Sequence, residues 1–153
     1  MDDKVCHLIN KSALLHKRLM NRILERFDLT YAQYQVLKTI KKHSSLTAKE
    51  ILVYMDTDKA TLSGVLSRLE NRSLIIRTKD PEDRRLMHIQ LTERSNALCT
   101  QVSEIEMTCQ DSLTENIKSR ELKNFLNVFE RIIQNQEAKI EEETQKNMEA
   151  KQQ

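Results

Sequence analysis

One glycine, Gly64, and one proline, Pro81, serve a chain of 153 residues, against average usage of about 7% and 5%. Turns draw on those residues, so a many-stranded fold is excluded and helix is the default. Tryptophan is absent, and three tyrosines and three phenylalanines are too few for a platform that stacks single-stranded bases. A single glycine cannot build a phosphate-cradling loop. No Ser/His/Asp or Cys/His grouping occurs locally, so the chain is not expected to be an enzyme. His7, His16, His43 and His88 are scattered without zinc-ligand spacing, and neither a metal nor a cofactor is expected. Cys6, Cys99 and Cys109 are odd in number and lack CxxC spacing, which fits a reducing compartment and no disulfide framework. No apolar run approaches the ~18 residues of a membrane span, and no secretory start pattern is present. A soluble, cytoplasmic protein with no membrane partner is the expectation.

What is there is charge with a polarity. Residues 1–96 carry 18 Lys+Arg against 12 Asp+Glu, and residues 97–153 carry 7 against 11. A polyanionic partner would therefore meet the first part of the chain.

Apolar periodicity lays out six helices and one hairpin. Residues 4–27 repeat at helical spacing, and Thr30 caps a second helix that turns Tyr34, Leu37 and Ile40 inward. Thr47-Ala48-Lys49-Glu50 is a capping box, with Leu46 and Ile51 as its hydrophobic staple. That third helix ends near Tyr54-Met55. Asp58 caps a fourth, whose Leu62, Val65, Leu66 and Leu69 follow i, i+3, i+4, i+7. A fifth helix starts at Thr92 and runs to about Ile117, and a sixth spans roughly 119–143. No linker is long enough to divide the chain.

The third and fourth helices have the lengths of a helix-turn-helix. The fourth would lie in the major groove of duplex DNA, where base edges are distinguishable. Its outward face is small and polar. Thr61, Ser63 and Ser67 can contact bases or phosphates, Lys59 and Arg68 supply charge, and Gly64 suggests a close approach to the backbone. In mid-helix that glycine costs about 1 kcal/mol relative to alanine.

After this helix, Leu74-Ile75-Ile76-Arg77 and Leu86-Met87-His88-Ile89-Gln90-Leu91 flank Asp80-Pro81-Glu82-Asp83-Arg84-Arg85. Period-two alternation around a turn marks a β-hairpin. Such a wing would reach a minor groove, where concentrated negative potential attracts arginine. Arg84 and Arg85 are placed for insertion, and Arg77 and Lys79 for phosphates along the stem. Asp83 would pair with Arg85 and hold its guanidinium in one rotamer.

Here the sequence resembles the MarR family of bacterial winged-helix regulators. Leu29-Thr30-Tyr31-Ala32-Gln33-Tyr34-Gln35-Val36-Leu37 is similar to its second-helix entry. Thr61-Leu62-Ser63 through Val65-Leu66-Ser67-Arg68-Leu69-Glu70 resembles its recognition helix. Leu74-Ile75, Asp83-Arg84-Arg85 and Ile89-Gln90-Leu91-Thr92-Glu93 resemble its wing and exit. Ser95 departs from a common glycine.

The resemblance implies a mainly α fold with a small β-hairpin, a winged helix-turn-helix with N- and C-terminal dimerisation helices. The DNA-binding domain would be 30–92, the dimerisation domain 1–29 with 93–145, and 146–153 a disordered tail. It also implies a homodimeric repressor on a pseudo-palindromic operator, released by a small aromatic or anionic ligand or by oxidation. Cys6 lies 25 residues before Tyr31, a spacing similar to the family's peroxide-sensing branch, which makes both candidates for a redox sensor. Met20 stands where that branch would have a second tyrosine. A competing reading is a helical adaptor that binds only protein, which leaves the arginines of the hairpin tip unexplained.

Overall fold

The computed structural model describes residues 2–83 and 85–150. Among these, six helices and three strands follow in the order α1 (Asp2–Glu25), α2 (Tyr31–His43), β1 (Leu46–Thr47), α3 (Ala48–Tyr54), α4 (Lys59–Asn71), β2 (Ile75–Lys79), β3 (Met87–Leu91), α5 (Glu93–Leu113) and α6 (Ser119–Ala150). No described helix is long and apolar enough to cross a membrane.

The helix starts follow from side-chain capping. Thr30 and Gln33 exchange backbone and side-chain bonds at the head of α2, and Thr47 and Glu50 do the same at α3. Asp58 accepts the Thr61 N–H at 2.8 Å to start α4. Thr92 accepts the Ser95 N–H at 3.3 Å to start α5. Each bond satisfies a donor that the first helical turn would otherwise leave unpaired. Ser95, fully buried there, returns its own hydroxyl to the Thr92 carbonyl.

Helix ends show how a chain so poor in glycine turns corners. Asp28, Ser44, Ser73 and Asn116 take positive φ. At Ser73, with φ 53°, the Ser73 N–H reaches the Glu70 carbonyl and the Leu74 N–H reaches Leu69. That 5→2 and 6→1 pair is a Schellman motif, normally closed by glycine. It delivers the chain from α4 into β2 with no intervening loop. Asp28 closes α1 in the same way, two residues before the extent expected from periodicity.

The sheet is antiparallel in the order β1-β3-β2. Pairings from Ile75↔Leu91 to Lys79↔Met87 make β2 and β3 the expected hairpin. β1 adds a third strand, pairing Leu46 with Ile89 and Thr47 with His88. Two residues are too short to show alternation. They pair because Leu46 is buried in the same core as Ile89.

The chain forms two compact units, 1–109 and 110–153. In the first, Tyr34, Leu37 and Ile40 of α2 pack with Leu62, Leu66 and Leu69 of α4 and with Leu74, Ile75 and Ile89 of the sheet. This core is wider than residues 30–92. Met20, Ile23 and Leu24 of α1 and Cys99 and Val102 of α5 complete it, each set spaced to share one helix face. By compactness, the chain divides inside α5, after Cys109.

In the second unit, α6 buries none of its residues, although its apolar positions repeat at helical spacing and Phe125 stacks on Phe129 at 5.4 Å. The expected tail is helical through Ala150. Lys139 pairs with Glu142 and Glu143, and Lys146 pairs with the same two acids, at the spacings that support consecutive turns. Residues 151–153 lie outside the described residues. The fifth helix ends at Leu113, short of Ile117, with Asn116 in a positive-φ turn.

Candidate nucleic-acid interface

α4 presents its polar face because the opposite one is committed to the core. Leu62, Val65, Leu66 and Leu69 are buried, whereas Lys59, Thr61, Ser63, Ser67 and Arg68 are exposed. The Asp58 carboxylate accepts both the N–H of Thr61 and its hydroxyl, at 2.8 and 2.6 Å. These bonds, the hydroxyl first, hold the Asp58 carboxyl below its ordinary value. The Thr61 hydroxyl therefore has its proton committed to the cap and faces outward as an acceptor.

Gly64 has no internal reason to be glycine. Its φ is not positive, and a Cβ placed on it would meet nothing nearer than the Arg68 guanidinium at 4.0 Å. The open space lies outside the chain, on the face that carries Ser63 and Ser67.

The wing is built differently from the reading of its side chains. Arg77 is half-buried and donates to Glu70 at 2.9 Å, pinning β2 to the last turn of α4. Its role is to brace the stem, and Lys79 is the exposed cation there. Asp83 does not pair with the Arg85 guanidinium. Its carboxylate accepts the Arg85 backbone N–H at 3.0 Å, because the amide two residues on is the donor nearest to a short side chain. The Arg85 side chain is exposed. Arg84 lies outside the described residues.

Two wing residues were missed by sequence reasoning. Asp80 accepts the N–H groups of Glu82 and Asp83, both at 2.8 Å. Its second oxygen lies 2.8 Å from His88 Nε2. The Asp83 amide, then His88, then the Glu82 amide hold the Asp80 carboxyl below its ordinary range. An aspartate directly before the only proline was the available signal.

The structure does not bring Cys6 and Tyr31 together within one chain. The Tyr31 ring sits edge-on against His16 at 6.4 Å. His16 is ten residues beyond Cys6 on α1, about 15 Å at the helical rise. Cys6 itself is exposed. Cys99 is buried, and that burial pushes its thiol up. Among the described residues, no group of three or more His, Cys, Asp or Glu could hold a metal ion.

A cavity of about 330 Å³ opens beside the interface. It is lined by apolar Leu52, Leu62 and Leu66 and by basic Lys49, Lys59 and Arg77. Elsewhere in the same unit, a partly buried network joins α2 to α5. Tyr34 donates to Glu106 at 2.9 Å, and Lys38 reaches the same carboxylate at 2.8 Å. Burial, more than the neighbouring acid, pushes the Tyr34 phenol up to about 12. The phenol is thus a fixed donor to that carboxylate.

Comparison with known proteins agrees with this geometry. Residues 29–87 match the MarR family, the stretch from α2 through the wing tip. The transcriptional regulator SarZ of Staphylococcus aureus is 28% identical over 127 residues, covering 83% of this chain and 84% of SarZ. AbfR of Staphylococcus epidermidis superposes with a TM-score of 0.73 at 26% identity, covering 92% of this chain and 93% of AbfR. A cysteine-to-serine mutant of MarR from E. coli, crystallised with operator DNA, superposes with a TM-score of 0.72 at 25% identity, covering 85% and 91%. These relatives are regulators and not enzymes. Over most of its length the chain is similar to the DNA-binding, winged-helix transcriptional regulators of the MarR family, and residues 29–87 match the family itself.

Proposed function

We propose that the chain acts as a homodimeric repressor on a pseudo-palindromic operator. Each protomer would lay α4 in a major groove and its wing tip in the flanking minor groove, the DNA-binding domain being 30–92. The observation that carries this reading is the outward face of α4. Thr61, Ser63 and Ser67 surround a glycine with free space above it, and Lys59 and Arg68 flank them. Such a face suits close approach to base edges and phosphates.

Dimerisation is supported by apolar side chains that a monomer leaves in water. On α1, Val5, Leu8, Leu14 and Leu15 are exposed, and on α6 so are Phe125, Leu126, Ile133 and Ile140. A helix with an apolar stripe is stable when that stripe is covered, and a second copy can cover it by two-fold symmetry.

The cavity lined by Lys49, Lys59 and Arg77 favours release by a small aromatic anion. Lys49 and Lys59 would meet the carboxylate and the leucines would meet the ring. Occupancy there would compete with DNA for Lys59. A second reading, release by oxidation of Cys6, is favoured by the exposure of that thiol. Peroxide should then release the wild-type chain from duplex DNA and leave Cys6→Ser bound.

The deciding experiment is duplex retention across salt concentration with the chain's mass in solution measured in parallel. A dimeric reader loses affinity steeply as salt rises. A chain that binds duplex only as a monomer removes the palindromic reading, and absence of any duplex binding leaves the adaptor.

A further inference from the structure

The acid that organises the wing tip is not the one in the arginine pattern. Asp80 stands at the end of β2 and caps the tip with one carboxylate oxygen, which accepts the N–H groups of Glu82 and Asp83 at 2.8 Å each. Asp83, held in this way, accepts the Arg85 N–H at 3.0 Å. Two aspartates thus fix the backbone in sequence, from the end of the stem to the arginine. The Asp80 N–H also closes the hairpin onto the Leu86 carbonyl at 3.1 Å.

The other Asp80 oxygen reaches sideways to His88 Nε2 at 2.8 Å. His88 lies on the central strand, opposite Thr78 of β2 and opposite Thr47 of β1. Thr47 is the residue that caps α3. The chain of contacts therefore runs from the first helix of the helix-turn-helix, through the sheet, to the arginine at the tip. His88 Nδ1 is buried without a partner. Carrying the ring proton on Nε2, as a donor to Asp80, is the arrangement that strands no buried N–H.

We propose that Asp80 and His88 are positioning residues for DNA binding, which set the place of Arg85 relative to α4 without touching DNA themselves. This rests on the reading of Arg85 as the wing's DNA contact. The logic is preorganisation. The described residues of the tip beyond Asp80 are exposed, so a free tip would lose backbone entropy on entering a groove, and the Asp80 cap removes that loss beforehand.

The test is a double-mutant cycle on a duplex selected from a random library by the wild-type chain. Arg85→Ala should weaken binding about tenfold or more. Asp80→Ala should weaken it by several-fold, with no further loss when added to Arg85→Ala. Asp80→Asn should lose about as much as His88→Ala, since its amide oxygen still accepts the two N–H groups while its NH2 cannot accept from His88 Nε2. His88→Ala should fall between wild type and Asp80→Ala, and its effect should also vanish in the Arg85→Ala background. Losses that multiply in the double mutants would show that Asp80 acts on the fold at large, and would overturn the proposal. Tighter binding by Asp80→Ala would reduce Asp80 to a repelling charge and overturn it too. Unchanged affinity in Arg85→Ala would remove the wing reading itself, an outcome separate from both.

Discussion

The helix-turn-helix and the wing tip adjoin in sequence, yet different forces place them. α4 is fixed from below by four leucine and valine side chains in a shared core. At the tip, Glu82, Asp83 and Arg85 are fixed by carboxylate-to-amide bonds made in the presence of water. Apolar burial is non-directional and strong, whereas such bonds are directional and individually weak. One consequence is a division of labour. Changes under α4 should be read out in stability, and changes at the tip in affinity at unaltered stability.

The largest effect expected is Leu66→Ala. Leu66 is 2% exposed, and truncating such a leucine costs about 2–5 kcal/mol through lost transfer and a residual cavity. Denaturant unfolding should show it. Survival of the full stability would mean that α4 does not depend on this core, and the contrast with the tip would fail. At the tip, Asp83→Ala should leave the unfolding midpoint unmoved and weaken duplex binding by roughly 1 kcal/mol, because the Arg85 N–H loses its anchor. A simple basic patch predicts the opposite sign, since a repelling charge would be gone.

Acid sharpens the same contrast. Asp58 is held below its ordinary value of 3.8, chiefly by the Thr61 hydroxyl. A depressed carboxyl stabilises the fold fully above that ordinary value and loses the contribution as pH falls through the lowered one. The destabilisation caused by Asp58→Ala should therefore be complete at neutral pH and fade below about pH 4. The deficit of Leu66→Ala should stay nearly constant over the same range. A thermal-unfolding series against pH on both variants separates the two, and an acid-insensitive Asp58→Ala deficit would break the cap argument.

The two regions also differed in how far the sequence disclosed them. Caps at Thr30, Thr47 and Asp58 and the inward stripe of α4 are local or periodic features, and they were legible. β1 was not, because Leu46 and Thr47 pair only through burial contributed by distant residues. The extent of the first compact unit was missed for a related reason. Met20 and Val102 have ordinary helical spacing, and only packing decides which core they join. At the tip the residue types were legible and their partners were not. Arg77 on Glu70 and Asp83 on a backbone amide are choices among nearby donors, settled by angstrom-scale geometry. Asp80 and His88 are eight residues apart, a spacing that means nothing until the hairpin register is known.

Glycine usage along α4 gives the finest comparison. The chain has its one glycine at position 64, in mid-helix, where glycine is unfavourable. It has serine at 73, where a positive φ favours glycine. Gly64→Ala should stabilise the fold by about 1 kcal/mol, since its Cβ would meet only a flexible guanidinium tip. If DNA uses the space above Gly64, the same change should weaken binding, so stability and affinity would move in opposite directions. Ser73→Gly should be the smaller effect. Relief of the left-handed conformation, worth about 1–2 kcal/mol for a residue with a Cβ, is set against roughly 0.5–1 kcal/mol of added freedom in the unfolded chain. A net gain of a few tenths is expected, with affinity unchanged, because position 73 carries no proposed DNA contact and its carbonyl accepts the Thr92 hydroxyl. A Ser73→Gly variant that lost affinity at full stability would show that the corner between α4 and β2 is held rigid for DNA. Preorganisation would then extend from the polar tip into the joint that the core was thought to secure alone.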